Sequence, residues 1–177
     1  MTTIAAFLDH KGNVAIGADT ALTGRAQYNV KTKLFKVGNL WATLTGPSNA
    51  YRNLKSLSKE KDEAPGSPGE LTDCVLQAMK DLGSGQTDSD GDWYVNFSMI
   101  ITKKGKNPYR GGGDGSLTQY EQGYCAAGSG HEIALGVLHV ARAQKWSAKK
   151  AVTRALQAAC DHDPYSREPF HVKVLKG

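Results

Sequence analysis

The chain opens Met1-Thr2-Thr3-Ile4-Ala5-Ala6-Phe7-Leu8-Asp9-His10 and continues Lys11-Gly12-Asn13-Val14-Ala15-Ile16-Gly17-Ala18-Asp19. Two apolar runs, Thr3 to Leu8 and Val14 to Ala18, flank turn residues around Gly12 and predict a β-hairpin. The hairpin ties down the N-terminus and brings Asp19, at the end of the second strand, back to the start of the first, beside Thr2. Thr2 is small enough for Met1 to be trimmed. The exposed residue would then carry a hydroxyl and a free α-amine together. A threonine hydroxyl is a weak nucleophile until a base takes its proton, and an α-amine with a reference pKa near 8 is a base that works at neutral pH.

Outward from the hairpin, Lys33-Leu34-Phe35-Lys36-Val37, a Gly38-Asn39 turn and Leu40-Trp41-Ala42-Thr43-Leu44-Thr45-Gly46 predict a second hairpin. Ser48 to Ser58 carries Ala50, Tyr51, Leu54 and Leu57 at helical spacing, with Ser48 placed to cap. Glu60 to Gly69 reads as an exposed connection, and Leu71, Val75, Leu76 and Met79 mark a second helix. Gly83 to Asp92 is expected to be a polar loop. Its Asp88, Asp90 and Asp92 imitate a calcium loop, but the glycine is misplaced and Met99 stands where the closing glutamate belongs. Val95 to Thr102 predicts a buried strand. Pro108 to Gly112, Leu117 to Glu121 and Cys125 to Ala127 predict a meander across one sheet. Ile133, Val137, Leu138 and Ala141 form a helical stripe, Ser147 caps a further helix stopped by Asp163-Pro164, and Phe170 to Leu175 is a last strand. Strands, two helices, strands, two helices and a strand make α+β layers, with helices outside two packed antiparallel sheets.

The 177 residues suit one domain over 1–177. No run is long and apolar enough for a membrane span, and the N-terminus has no secretory pattern, so the expected location is cytoplasmic, away from membranes. Cys74, Cys125 and Cys160 lie in or beside apolar stretches, as packed, reduced thiols do. No metal site is expected: the five histidines are scattered, and His162 fits the negative end of a helix better than a cluster with Cys160, Asp161 and Asp163. The net charge of +5 invites a nucleic-acid partner. The basic clusters Lys103, Lys104, Lys106 and Lys145, Lys149, Lys150 are separate and no nucleic-acid motif is present, so contact with a protein or an acidic polymer is the expected use of that charge.

Several motifs together resemble one family. Thr2-Thr3-Ile4, Ile16-Gly17-Ala18-Asp19, Lys33-Leu34-Phe35-Lys36-Val37, Thr45-Gly46-Pro47-Ser48-Asn49-Ala50, Ala126-Ala127-Gly128-Ser129-Gly130 and Asp163-Pro164-Tyr165-Ser166 occur in the order and spacing of the N-terminal-nucleophile peptidases of the proteasome β-subunit and HslV type. The start resembles HslV and its bacterial relatives, whereas Asp163 to Ser166 resembles the proteasome β-subunit. The resemblance implies the four-layer αββα sandwich and assigns roles. Thr2 is the nucleophile and Lys33 lowers the pKa of its hydroxyl. Asp19 balances Lys33. Ser129, Asp163 and Ser166 hold the amine, the Gly46 N–H stabilises the oxyanion, and Thr45 lines the first specificity pocket with a small or medium, uncharged surface. Arg167 and Glu168 depart from the glycines usual after Ser166, which implies a different loop there.

The resemblance further implies a threonine endopeptidase without a cofactor, self-associated in stacked rings around a chamber. Its substrates would be unfolded proteins or peptides. With no phosphate-cradling loop in the sequence, any ATP-dependent unfoldase is a separate partner. The alternatives are a catalytically silent ring scaffold of the same fold and an amidase acting on a small-molecule amide.

Overall fold

The computed structural model describes residues 2–23, 27–60 and 64–177. Met1 lies outside the described residues. In chain order the elements are β1 (Thr3–Leu8), β2 (Val14–Asp19), β3 (Ala21–Thr23), β4 (Gln27–Asn29), β5 (Phe35–Val37), β6 (Leu40–Thr45), α1 (Ser48–Leu57) and α2 (Pro68–Asp81). They continue with β7 (Gln86–Thr87), β8 (Trp93–Tyr94), β9 (Ser98–Thr102), β10 (Tyr109–Gly112), β11 (Leu117–Gln119), β12 (Tyr124–Gly128), α3 (His131–Ala143), α4 (Ala148–His162) and β13 (Phe170–Leu175).

Two main antiparallel sheets follow from the pairing. One has the order β12-β1-β2-β13 and the other β11-β10-β9-β6-β5. Alternation along β1 separates two cores. Ala5 and Phe7 point to one face and join Ala134, Leu138, Ala151, Val152 and Leu156 of α3 and α4. Ile4 and Ala6 point to the other and meet Ile100 of the opposite sheet, with Ile16, Ala18, Cys125 and Ala127. The second sheet buries Leu44, Met99 and Ile101 against Leu54, Leu71, Val75 and Met79 of α1 and α2. Helices therefore cover both outer faces of the paired sheets, which is the αββα arrangement.

Small residues let the helical layer come close. At Gly17 a β-carbon would sit 2.7 Å from both Leu156 Cδ1 and Val152 Cγ1, and Ala148, Ala151, Ala155 and Ala159 of α4 are all buried. Asp9, in the β1–β2 turn, ties this layer to the hairpin. Its carboxylate accepts the backbone N–H groups of Lys11 (2.9 Å), Asn13 (2.9 Å) and Ala148 (3.1 Å), the last being the first residue of α4.

Four details differ from the sequence reading. Pro47, not a serine, precedes α1, and Ser48 is its first helical residue without a side-chain cap. The run Val95 to Thr102 is strand only from Ser98, because Val95 and Phe97 bond to Gly113 across an irregular crossing. The polar loop before it holds a small hairpin, β7 with β8, whose turn is fixed by Asp88 accepting the N–H groups of Asp90 and Asp92. The expected meander is split between sheets. β10 and β11 stay with β9, whereas β12 crosses to pair with β1, Thr3 opposite Gly128 and Phe7 opposite Tyr124.

Candidate active site

β1 brings two adjacent threonines to opposite faces of its sheet. Thr2 has the parity of Ile4 and Ala6 and looks between the sheets; Thr3 has that of Ala5 and Phe7 and looks toward the helices. Both are buried.

On the inter-sheet side Lys33, in the segment entering β5, is 1 % exposed and Asp19, at the end of β2, is fully buried. The Lys33 ammonium donates to the Thr2 hydroxyl, to the Ala21 carbonyl and, at 2.7 Å, to Asp19 Oδ1. The Thr2 hydroxyl donates to the same carboxylate oxygen. The second oxygen of Asp19 accepts the Arg167 N–H at 3.4 Å. Ala21 and Arg167 were not assigned by the sequence because both contribute main chain, which carries no side-chain signal. The loop after Ser166 thus reaches Asp19 despite Arg167 and Glu168 replacing glycines. Burial pushes the Lys33 ammonium down and the Asp19 carboxyl up in pKa, and the opposite charge of each resists the shift in the other. The arrangement leaves a cation with a weakened hold on its proton against a threonine oxygen.

On the helical side a second network joins α4 to the terminus. Ser129 Oγ and Ser166 Oγ each donate to Asp163 Oδ2 at 2.6 Å. Ser166 has a single proton, already committed, so at 2.6 Å it accepts from the Thr3 hydroxyl. Thr3 in turn accepts the Gly130 N–H at 3.0 Å. Every proton in this chain has one direction, and it ends on a carboxylate. Ser129 Oγ keeps its lone pairs free to accept, and its N–H holds the Thr2 carbonyl at 3.1 Å. Asp163, Ser129 and Ser166, named from the sequence as candidates, are brought together here with Thr3, which was not named. Strand alternation was the signal for it, since the residue after an inward Thr2 must face the other layer.

A cleft of about 750 Å³ borders Gly128 and Ser129 and is lined by Thr45 and Gly46. Gly46 has φ +145°, and a β-carbon there would lie 2.5 Å from Phe97 Cβ, so only glycine lets the backbone face the cleft. Gly128, with φ +98°, is needed because a β-carbon would overlap the Thr2 carbonyl. No lining side chain of this cleft is charged.

Burial pushes the thiols of Cys125 and Cys160 up to about 12, far from thiolate chemistry, and all three cysteines are free. Among the described residues no three His, Cys, Asp or Glu side chains converge as a metal site, and no helix is long and apolar enough to cross a membrane.

The family model for the proteasome subunit matches residues 2–175. In structure the chain is similar to Thiobacillus denitrificans BPH in complex with epoxomicin, with TM-score 0.80, 21% identity and 98% of each chain covered. It is similar to Thiobacillus denitrificans BPH by itself at TM-score 0.80 and 20% identity, over 98% of this chain and 97% of the other. Eukaryotic HslV from Trypanosoma brucei gives TM-score 0.67 at 20% identity over 99% of each chain. Comparison with curated protein sequences finds no match.

Proposed function

Because the chain belongs to the proteasome subunit family, we propose that it is a threonine-type endopeptidase subunit whose nucleophile is Thr2 once Met1 is removed. The observation carrying this reading is the buried Lys33 ammonium bonded at once to the Thr2 hydroxyl and the Asp19 carboxylate. In this reading the hydroxyl proton passes to the Thr2 α-amine, directly or through water, as Oγ1 attacks the peptide carbonyl. Lys33 favours the developing negative charge on that oxygen. The tetrahedral oxyanion is met by the Gly46 N–H, and Ser129 Oγ accepts from the ammonium as it forms. The ammonium then protonates the leaving amine, an ester remains on Thr2, and water releases it by the same groups in reverse. Thr45 on the cleft wall would meet the substrate side chain preceding the cleaved bond.

At the level of assembly the reading is a self-compartmentalised particle of stacked rings, soluble in the cytoplasm, taking unfolded protein or peptide delivered by a separate ATP-dependent unfoldase. The epoxomicin held by one structural neighbour suggests the probe class. An epoxyketone offers one electrophile to a hydroxyl and another to an adjacent amine.

The test is hydrolysis of fluorogenic peptides by protein shown by intact mass to lack Met1. Turnover abolished by Thr2→Ala and blocked by an epoxyketone supports the peptidase. Full activity of Thr2→Ala would remove Thr2 from the chemistry. Turnover of small amides with none of peptides would move the reading to an amidase, and no turnover at all to a scaffold.

A further inference from the structure

Thr3, the neighbour of the nucleophile, keeps its hydroxyl fully out of solvent on the helical side of β1. The oxygen accepts the Gly130 N–H at 3.0 Å and donates to Ser166 Oγ at 2.6 Å. The space around it is closely filled, since a β-carbon on Gly130 would lie 2.6 Å from Thr3 Oγ1 and 3.2 Å from Asp163 Cβ. A valine has nearly the same outline, so packing alone does not call for a hydroxyl. What the hydroxyl adds is a proton given in one direction, toward Ser166.

Beyond Ser166 the direction has a consequence. Asp163 Oδ2 accepts two hydroxyls, from Ser129 and from Ser166, each at 2.6 Å. Two donors on one carboxylate oxygen share its charge, so a stronger bond from one weakens the bond from the other. A hydroxyl that itself accepts a hydrogen bond becomes the better donor, and Thr3 gives Ser166 that advantage. Ser129 is left the weaker donor of the two. An oxygen gains acceptor strength from the proton it gives away, so Ser129 Oγ is also the weaker acceptor. The same serine is tied to the nucleophilic residue by its N–H on the Thr2 carbonyl at 3.1 Å.

Resting on the threonine-peptidase reading, we propose that Thr3 is a positioning residue for the reaction: acting through Ser166 and Asp163, its hydroxyl limits how strongly Ser129 accepts from the Thr2 ammonium and so keeps the amine available as a base near neutral pH. Hydrogen bonding to a charged form favours that form. A stronger Ser129 acceptor would hold the amine protonated, and a protonated amine cannot take the Thr2 hydroxyl proton. The charged and titratable groups on the elements packed about Thr2 are Asp19 and Lys33 on the inter-sheet side, His131 at the start of α3, Cys160 and Asp163 at the end of α4, and Arg167 and Glu168 beyond it. His131 is engaged with the Gly128 carbonyl at 2.7 Å. Among the described residues none of these groups bonds to Thr3 Oγ1, whose partners are Gly130 and Ser166. A change at Thr3 therefore reaches the amine by way of Ser166.

The test uses the full chain shown by intact mass to lack Met1. Peptide hydrolysis is followed across pH, and the pH dependence of N-terminal acylation is read separately by mass, which titrates the amine without turnover. In Thr3→Val both the acid limb of kcat/KM and the amine titration should move to higher pH by about half a unit, roughly a threefold loss of free amine at pH 7, with KM little changed. Thr3→Ser, which keeps the hydroxyl, should bring both back toward the parent. Ser166→Ala removes the same donation to Asp163 and should move the amine the same way, and Thr3→Val added to it should move the amine no further. Val152→Ala, a cavity in the buried face of α4 away from these hydroxyls, should lower the melting temperature and leave the amine titration in place. An amine in Thr3→Val or Ser166→Ala that titrates with the parent or below it, an equal displacement in Val152→Ala, or a further shift in the double variant would overturn the proposal. Full peptide turnover by Thr2→Ala, with the amine shift of Thr3→Val still present, would support this coupling and count against the peptidase reading alone.

Discussion

Lys33 and Asp19 form an ion pair at 2.7 Å with both side chains out of solvent, an arrangement that stability alone does not favour. Removing either partner strands the other. Asp19→Asn or Lys33→Met should each cost about 3–5 kcal/mol of unfolding free energy by denaturant titration, and the double change should cost less than the sum. Simple additivity would mean that the pair is not coupled. Catalysis should vanish in all three. The pH profile of kcat/KM has a stated sign at both limbs. Activity rises as the Thr2 amine loses its proton, near its reference pKa of about 8. It falls again as Lys33 deprotonates, below the ordinary lysine value because burial pushes that pKa down. An alkaline limb at or above the free-lysine range would contradict the role given to burial. These residues were legible because each is a polar residue closing or opening an apolar run. Thr3, Ala21 and Arg167 were not, since their parts depend on strand parity and on main-chain groups that any residue supplies.

Asp9 shows what elements add that residues do not announce. Burial alone would raise its pKa, but the hydrogen bonds from Ala148, Asn13 and Lys11 outweigh it and hold the carboxyl below the usual value of 3.8. With the folded pKa depressed, its stabilisation is complete above the unfolded value and is lost as pH falls through the folded one. Asp9→Asn should therefore lower the melting temperature at neutral pH and flatten the loss of stability below about pH 4; an unchanged acid limb would show that the hairpin and α4 are not linked through this carboxylate. The sequence showed a turn at His10 to Asn13 and a serine before α4, but not that one side chain joined them. The same limit explains the meander. Spacing located β10, β11 and β12, yet nothing local marks the point where the chain leaves one sheet for the other; that choice is made by Cys125 and Ala127 packing between sheets beside Ile4 and Ile16. Ser48 misled for a related reason, as Pro47 already supplies the extended residue before the helix.

For the whole molecule, the layering was readable because element order and alternating burial agree, and agreement across levels is what makes a fold legible. Assembly is a different kind of property, carried by surfaces that a single chain leaves open. The ring reading predicts a sizing-column mass that is a large multiple of the 19.0 kDa of one chain. Elution as a single chain would contradict a chamber and leave Thr2 open to any folded protein.

The proposed catalysis turns on one residue presenting an attacking oxygen and a free amine together. Its most direct measurement is the mass spectrum of epoxyketone-treated protein, intact and after digestion. One adduct per chain, on an N-terminal peptide beginning at Thr2 and lost in Lys33→Met, is the predicted result. Protein that has shed Met1 yet takes no adduct, or takes it at another residue, would contradict it.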